Sequence, residues 1–259
     1  MRSTTSADAT RGKRKTVRLW AAVFWLLLWQ LLSVAIGQKI LLVSPIAALL
    51  RLGELALTAA FWRAIAFSCV RIMGGFLLAV LMGTLLAGLS AQLAFVRELL
   101  FPAILMMKAT PVASFIILVL IWIPSRNLAV LISFMMVLPV LYTNLLDGIQ
   151  STDRQLLEMA KVFRIPHWRV LRSIYLAQLL PFFRSACSIS LGLCWKAGIA
   201  AEVIGIPNGS IGEKLYQAKI YLETADLFAW TLVIILMSML LERLFLHGID
   251  LAVQHLERW

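Results

Sequence analysis

The stretch Asn127-Leu-Ala-Val-Leu-Ile-Ser-Phe-Met-Met-Val-Leu-Pro-Val-Leu-Tyr-Thr-Asn-Leu-Leu146 contains no Asp, Glu, Lys or Arg. It matches the roughly 20 apolar residues that carry a helix across a hydrocarbon core about 30 Å thick. Leu19–Ile36 and Ile72–Leu89 are equally free of charge. Ala109–Ser125, Ser185–Ile206 (interrupted by Lys196 and Glu202) and Leu227–Leu241 are nearly as apolar. Six spans are therefore predicted. Lipid offers no partner to backbone N–H and C=O groups, so a span must be a helix or part of a closed barrel. Barrel strands alternate apolar and polar residues, and these runs do not. The expected fold class is an all-α polytopic membrane protein. Composition agrees: 61% of the 259 residues are hydrophobic and 14% charged, against about 25% charged in a soluble domain.

The net charge of +11 is informative through its placement. Arg2, Arg11, Lys13, Arg14, Lys15 and Arg18 precede the first span, and Arg154, Lys161, Arg164, Arg169 and Arg172 fall between the fourth and fifth. With six spans these regions and the C-terminus share one side. The connection from the fifth span to the sixth is acidic, with Glu202, Glu213, Glu223 and Asp226 against Lys214 and Lys219. Positive residues collect on the cytoplasmic side, so both termini are expected inside. Residues 1–18 then form a basic cytoplasmic tail, and 19–259 a single transmembrane domain with a cytoplasmic loop at about 147–181. Nucleic acid is not an expected partner, because the basic residues flank spans and lack an aromatic reading surface.

The first run is too long for a cleaved signal peptide, and Ser33–Gln38 offers no small-x-small cleavage site. Cys69, Cys187 and Cys194 are odd in number and sit in apolar runs, which excludes a disulfide framework. No His or acid stands at metal-ligand spacing from them. Ser44-Pro45 reads as the cap and first position of a short interfacial helix. Gly75, Ala79, Gly83 and Ala87, at four-residue steps, form a flat seam for close helix approach. Pro139 predicts a kink in the fourth span.

The cytoplasmic loop carries the functional signal. Thr152 and Gln155 have capping-box spacing, and Leu156, Ala160 and Phe163 recur at i, i+4, i+7 as one apolar face. Pro166 stands where a second helix would begin. A short amphipathic helix between two spans has an apolar face that its own loop does not cover. It must lie on the membrane or dock into a partner.

Here the sequence resembles the permease subunits of ATP-binding-cassette importers. Their cytoplasmic signature reads Glu-Ala-Ala, three residues, Gly, nine residues, then Ile-x-Leu-Pro. This chain has Glu158-Met159-Ala160, Arg164 in the Gly place, Ile174-Tyr175-Leu176, and Ala177 in the Pro place. The spacing holds throughout. Ser44-Pro45, Arg71 with Gly75-Phe76, Thr110-Pro111-Val112-Ala113 and Ala201-Glu202 resemble the nitrate/sulfonate/taurine branch, from about Val43 to the C-terminus. The resemblance implies type I importer permease architecture, a homodimer in the bacterial inner membrane, a cytoplasmic ATPase dimer and an extracytoplasmic solute-binding protein. It also implies a coupling helix around Glu158, Met159, Ala160, Phe163 and Arg164 that inserts into the ATPase, and transport by alternating access. No G-x-x-x-x-G-K-[ST] is present, so ATP belongs to the partner and no cofactor or metal is expected in this chain.

Three other readings fit less well. A membrane enzyme lacks its motifs: His167, His247 and His255 lie scattered near helix ends. An ion-coupled transporter or channel needs ionisable groups deep in several spans, whereas Lys196 is the main deep candidate and Arg71 and Lys108 lie nearer span ends. Vitamin-importer subunits would show paired Ala-Arg-Gly signatures, which are absent. Lys196 stands roughly 22 Å along the fifth span at 1.5 Å per residue, beyond the midplane. It either faces the translocation path, with Glu202 nearby, and favours an anionic solute, or it snorkels or pairs with another helix. Glu202, six positions later, is off its helical face. The solute is expected to be small and anionic or polar.

The topology has a direct check. A single cysteine at residue 209 is expected to react with an impermeant reagent in intact cells, and one at 158 only after permeabilisation. External labelling at 158 would reverse the assignment.

Overall fold

A computed structural model describes residues 19–38 and 40–257, all of whose regular elements are helical. The predicted basic tail lies outside the described residues. Among the described residues, four helices are long and apolar enough to cross a membrane, or five if a bent pair counts as one span, fewer than the six spans predicted. The four are α3 (Ala59–Gln92), α6 (Ser125–Gln150), the helix ending in α9 (Leu176–Gly205) and α11 (Thr224–Glu257). The helix α1 (Leu19–Ile36) is the first predicted span, and its Trp25, Leu27 and Leu31 are exposed as lipid-facing groups would be. Trp29 Nε1 and Ser33 Oγ donate to the carbonyls of Val43 and Leu42, each at 3.0 Å. The helix α2 (Pro45–Ala56) begins as predicted, with Ser44 Oγ accepting from Ala47 N–H and Pro45 at the first position.

The third span departs from expectation. Instead of one helix over Ala109–Ser125, α4 (Ala94–Ala109) and α5 (Val112–Val119) meet at a 105° bend. Pro111 explains the break: its ring pushes the preceding residue out of the α region, and Thr110 is extended at ψ 126°. At 1.5 Å per residue α5 is only about 12 Å long, too short to span alone. Pro139, by contrast, sits buried within α6 without ending it.

The centre is a trio of α3, α6 and α9, whose buried residues include Ile72, Phe76, Val137, Leu141, Leu191 and Trp195. Helices in lipid associate by close packing and not by hydrophobic exclusion, so small residues set the distance. Gly75, Ala79, Gly83 and Ala87 are all buried. A Cβ on Gly75 would fall 2.2 Å from the Val130 carbonyl oxygen, and one on Gly198 would fall 2.6 Å from Ile72. The α11 helix closes the core through Trp230 and Val233, and Trp195 Nε1 donates to the Ile234 carbonyl at 2.9 Å. The three cysteines are unpaired, with Cys187 and Cys194 buried.

The connection between α9 and α11 holds a helix that the sequence reading did not resolve, α10 (Ile211–Ile220). Its signal was the Ser210-x-x-Glu213 spacing. Ser210 Oγ accepts from Glu213 N–H, and Glu213 Oε2 accepts from Gly209 N–H.

The glycine seam yields a paired test. Gly75→Ala forces α3 from α6 and is expected to lower the unfolding temperature in detergent by several degrees, as overpacking of about 1–3 kcal/mol would. Neighbouring Gly74, whose Cβ would meet nothing within 4 Å, should accept Ala without loss. Equal behaviour of the two variants would reject the seam.

Candidate functional site

The loop between α6 and α9 contains α7 (Arg154–Val162), a four-residue turn α8 (His167–Val170) and a π-helical turn, Leu171–Tyr175, that runs into α9. The cap of α7 is one residue later than predicted. Asp153 accepts from Gln155 N–H at 2.8 Å, while Thr152 is buried and donates to the Gly148 carbonyl at 3.4 Å. Thr152 is drawn inward because α6 and α9 nearly touch here: a Cβ on Gly148 would lie 2.9 Å from Leu179 and Phe182. The Asp153 N–H is held by Gln178 Oε1 of α9 at 3.0 Å. The start of α7 is thus tied to both long helices.

The end of α7 is equally defined. Ile165 N–H donates to the Ala160 carbonyl at 2.9 Å and Arg164 N–H to the Lys161 carbonyl at 3.1 Å. Together with the positive φ of 48° at Arg164, this is a Schellman termination, which favours Gly at the left-handed position. The signature's Gly place is therefore a left-handed backbone site, kept here by an arginine despite a cost of about 1–2 kcal/mol for an L-residue.

The predicted apolar face of Leu156, Ala160 and Phe163 is not one face. Ala160 is 2% exposed and Phe163 72%, because the helix ends at Val162 and Phe163, as its cap, leaves the helical periodicity. The outward apolar groups are Met159, Val162 and Phe163, with Trp168 beyond the turn. Glu158 and Arg164 are exposed beside them. Val162 and Trp168 were missed because exposure depends on where the helix stops.

The two charged residues of the fifth span part company. Lys196 is exposed on the face of α9 that also shows Ile189, Leu193 and Ile204. Glu202 is 1% exposed. Its Oε2 accepts from Ser68 Oγ of α3 at 2.6 Å and from Gly212 N–H of α10 at 3.3 Å. Ser68 Oγ in turn accepts from Ile211 N–H at 3.0 Å. The carboxylate thus caps the start of α10 and ties it to α3 and α9, where anionic groups complement the helix dipole. A Cβ on Gly212 would lie 2.3 Å from the Glu202 side chain, so Gly is required. Glu202 thus holds α3, α9 and α10 together and is buried in this conformation. Arg71 is also more engaged than its place in the sequence implied: Nε donates to the Arg126 carbonyl at 2.7 Å, and its guanidinium stacks 3.5 Å above the Phe67 ring.

Among the described residues, no cluster of three or more His, Cys, Asp or Glu could hold a metal ion. Comparison with known proteins agrees with the architecture. Residues 75–254, more than half of the chain, match the family described as binding-protein-dependent transport system inner membrane component. The chain is 27% identical over 236 residues to the putative aliphatic sulfonates transport permease protein SsuC of Bacillus subtilis, covering 87% of this chain and 84% of that protein. It is 28% identical over 188 residues to the taurine transport system permease protein TauC of Escherichia coli, covering 71% and 67%. It is 26% identical over 202 residues to the bicarbonate transport system permease protein CmpB of Synechococcus elongatus, covering 77% and 69%. These relatives are transport permeases and not enzymes. The chain belongs to the family of inner-membrane permease components of binding-protein-dependent, ATP-binding-cassette transport systems.

Proposed function

We propose that this chain forms the translocation path of an ATP-driven importer for a small solute bearing an anionic group, with both termini in the cytoplasm. A cytoplasmic ATPase dimer binds the ATP, an extracytoplasmic binding protein delivers the solute, and a second copy of the chain completes the path. The observation that carries this reading is the exposed cluster of Met159, Val162 and Phe163 on a helix whose start is tied to both long helices, through Thr152 to α6 and Asp153 to α9. Three apolar groups in water are unfavourable by roughly 25 cal/mol per Å² of apolar surface, and a partner groove relieves this. A helix tied to α6 and α9 then transmits the partner's motion, and rigid-body rocking of the spans gives alternating access. The solute class rests on the relatives, whose named substrates, aliphatic sulfonates, taurine and bicarbonate, all carry an oxyanion.

Paired replacement Val162→Asp with Phe163→Asp is expected to reduce co-purification of the system's own ATPase by roughly tenfold or more, as loss of a central apolar anchor does, while membrane levels stay normal. Full retention of the ATPase would place the contact elsewhere. Arg164→Gly is expected to slow amide exchange across the end of α7, since Gly relieves the left-handed backbone by about 1 kcal/mol. Faster exchange would contradict that account of the turn.

A further inference from the structure

The bend between α4 and α5 falls inside an apolar membrane segment, where such a bend is hard to sustain. Irregular backbone at membrane depth survives only where protein buries it or water wets it. No side chain caps the start of α5, whose first backbone bond in that turn is from Phe115 N–H to the Pro111 carbonyl. Pro139 lacks an N–H and so leaves the Met135 carbonyl of α6 without its helical donor. Both irregularities flank a crevice of about 410 Å³ lined by Met107, Thr110, Phe115, Met135 and Met136.

Beside it stands a charge that the docking loop does not explain. Lys108 is exposed, and its Nζ lies 3.4 Å from Thr143 Oγ1 of α6. Thr143 is seven residues beyond Met136, two turns along the same face of α6. It is also seven residues short of the helix end at Gln150, or roughly 10 Å inside it. A lysine facing lipid at the bilayer centre costs about 2.5–3.5 kcal/mol on insertion scales; a wet crevice removes much of that. Apart from Thr110, the wall is apolar, with Ala103, Val112, Leu118 and Ile132 beside the methionines and Phe115, so it holds an anion weakly enough to release it.

We propose that this crevice, with Lys108 at its cytoplasmic edge, is a water-filled segment of the solute path that receives the oxyanion of a small solute. This rests on the reading of the chain as the path-forming subunit. It moves the anion contact from Lys196, which lies on α9 among apolar groups, to the α4–α5 break.

Reaction of introduced thiols tests it without knowledge of the solute. Thr110→Cys, and separately Met136→Cys, are placed in a chain whose three native cysteines are replaced. The intact transporter with its ATPase is treated with anionic sulfonatoethyl and cationic trimethylammonium-ethyl methanethiosulfonate, with and without ATP and vanadate. Relative to free thiol, the anionic reagent should be favoured about fivefold, the scale of one nearby positive charge. Lys108→Gln should abolish that preference and Lys108→Arg preserve it. Three results would overturn the proposal: no labelling in either nucleotide state, equal rates for both reagents, or a preference indifferent to Lys108→Gln. Anion-selective labelling at Ala200→Cys with none at Thr110→Cys would do so too, by returning the path to the Lys196 face. ATPase retention in the same preparation reports separately on the subunit's role.

Discussion

The constraint on which the rest of this structure depends is that lipid cannot hydrogen-bond a peptide group. It forces α3, α6 and α11 to run uninterrupted for 26 to 34 residues. It also makes every interruption informative. The chain breaks helical regularity at membrane depth between α4 and α5, and the bend coincides with a crevice and a lysine. A second irregularity, the π turn at Leu171–Tyr175, falls where the proposed docking loop joins α9. Such turns are frequent at functional sites.

Because hydrophobic exclusion does not drive helices together in lipid, the core is specified by the absence of side chains. Gly75, Gly83 and Gly198 let α3, α6 and α9 approach until backbone meets backbone or branched side chain. Polar ties then fix orientation. Ser68 and Glu202 join α3, α9 and α10, Ser188 donates to Glu242 between α9 and α11 at 2.6 Å, and Arg51 pairs with Asp226 between α2 and α11. The hydrogen bonds to that carboxylate raise the arginine's pKa further above its already high value. The docking loop inherits this rigidity. Asp153 and the packing at Gly148 anchor its start, and the Schellman turn at Arg164 fixes where its helix ends.

Much of this was legible in the sequence. Apolar runs located α3, α6, α9 and α11, Ser44-Pro45 announced α2, and the four-residue spacing of small residues identified the face of α3 that α6 covers. What escaped was decided by chain reversal and burial. Pro111 was visible, but not that α4 would precede it as half of a bent pair, because Arg97 and Glu98 interrupt the apolar run there. The tie that Glu202 makes was not legible either, because its partners, Ser68 and the start of α10, lie 134 and 10 residues away in the chain. Ala160 and Phe163 share a helical stripe on paper. The stripe ends where the helix does, so the first is buried and the second is outward.

The central claim is that the docking helix moves as one body with the long spans that hold it. Distances between spin labels at Glu158 and Gln92 of one copy, and between Glu158 of the two copies, test it in the assembled transporter. On trapping with ATP and vanadate, the distance between copies should shift while the distribution within a copy keeps its position and width. A shift or broadening within the copy, in step with the motion between copies, would show the loop hinging on the core and contradict the account.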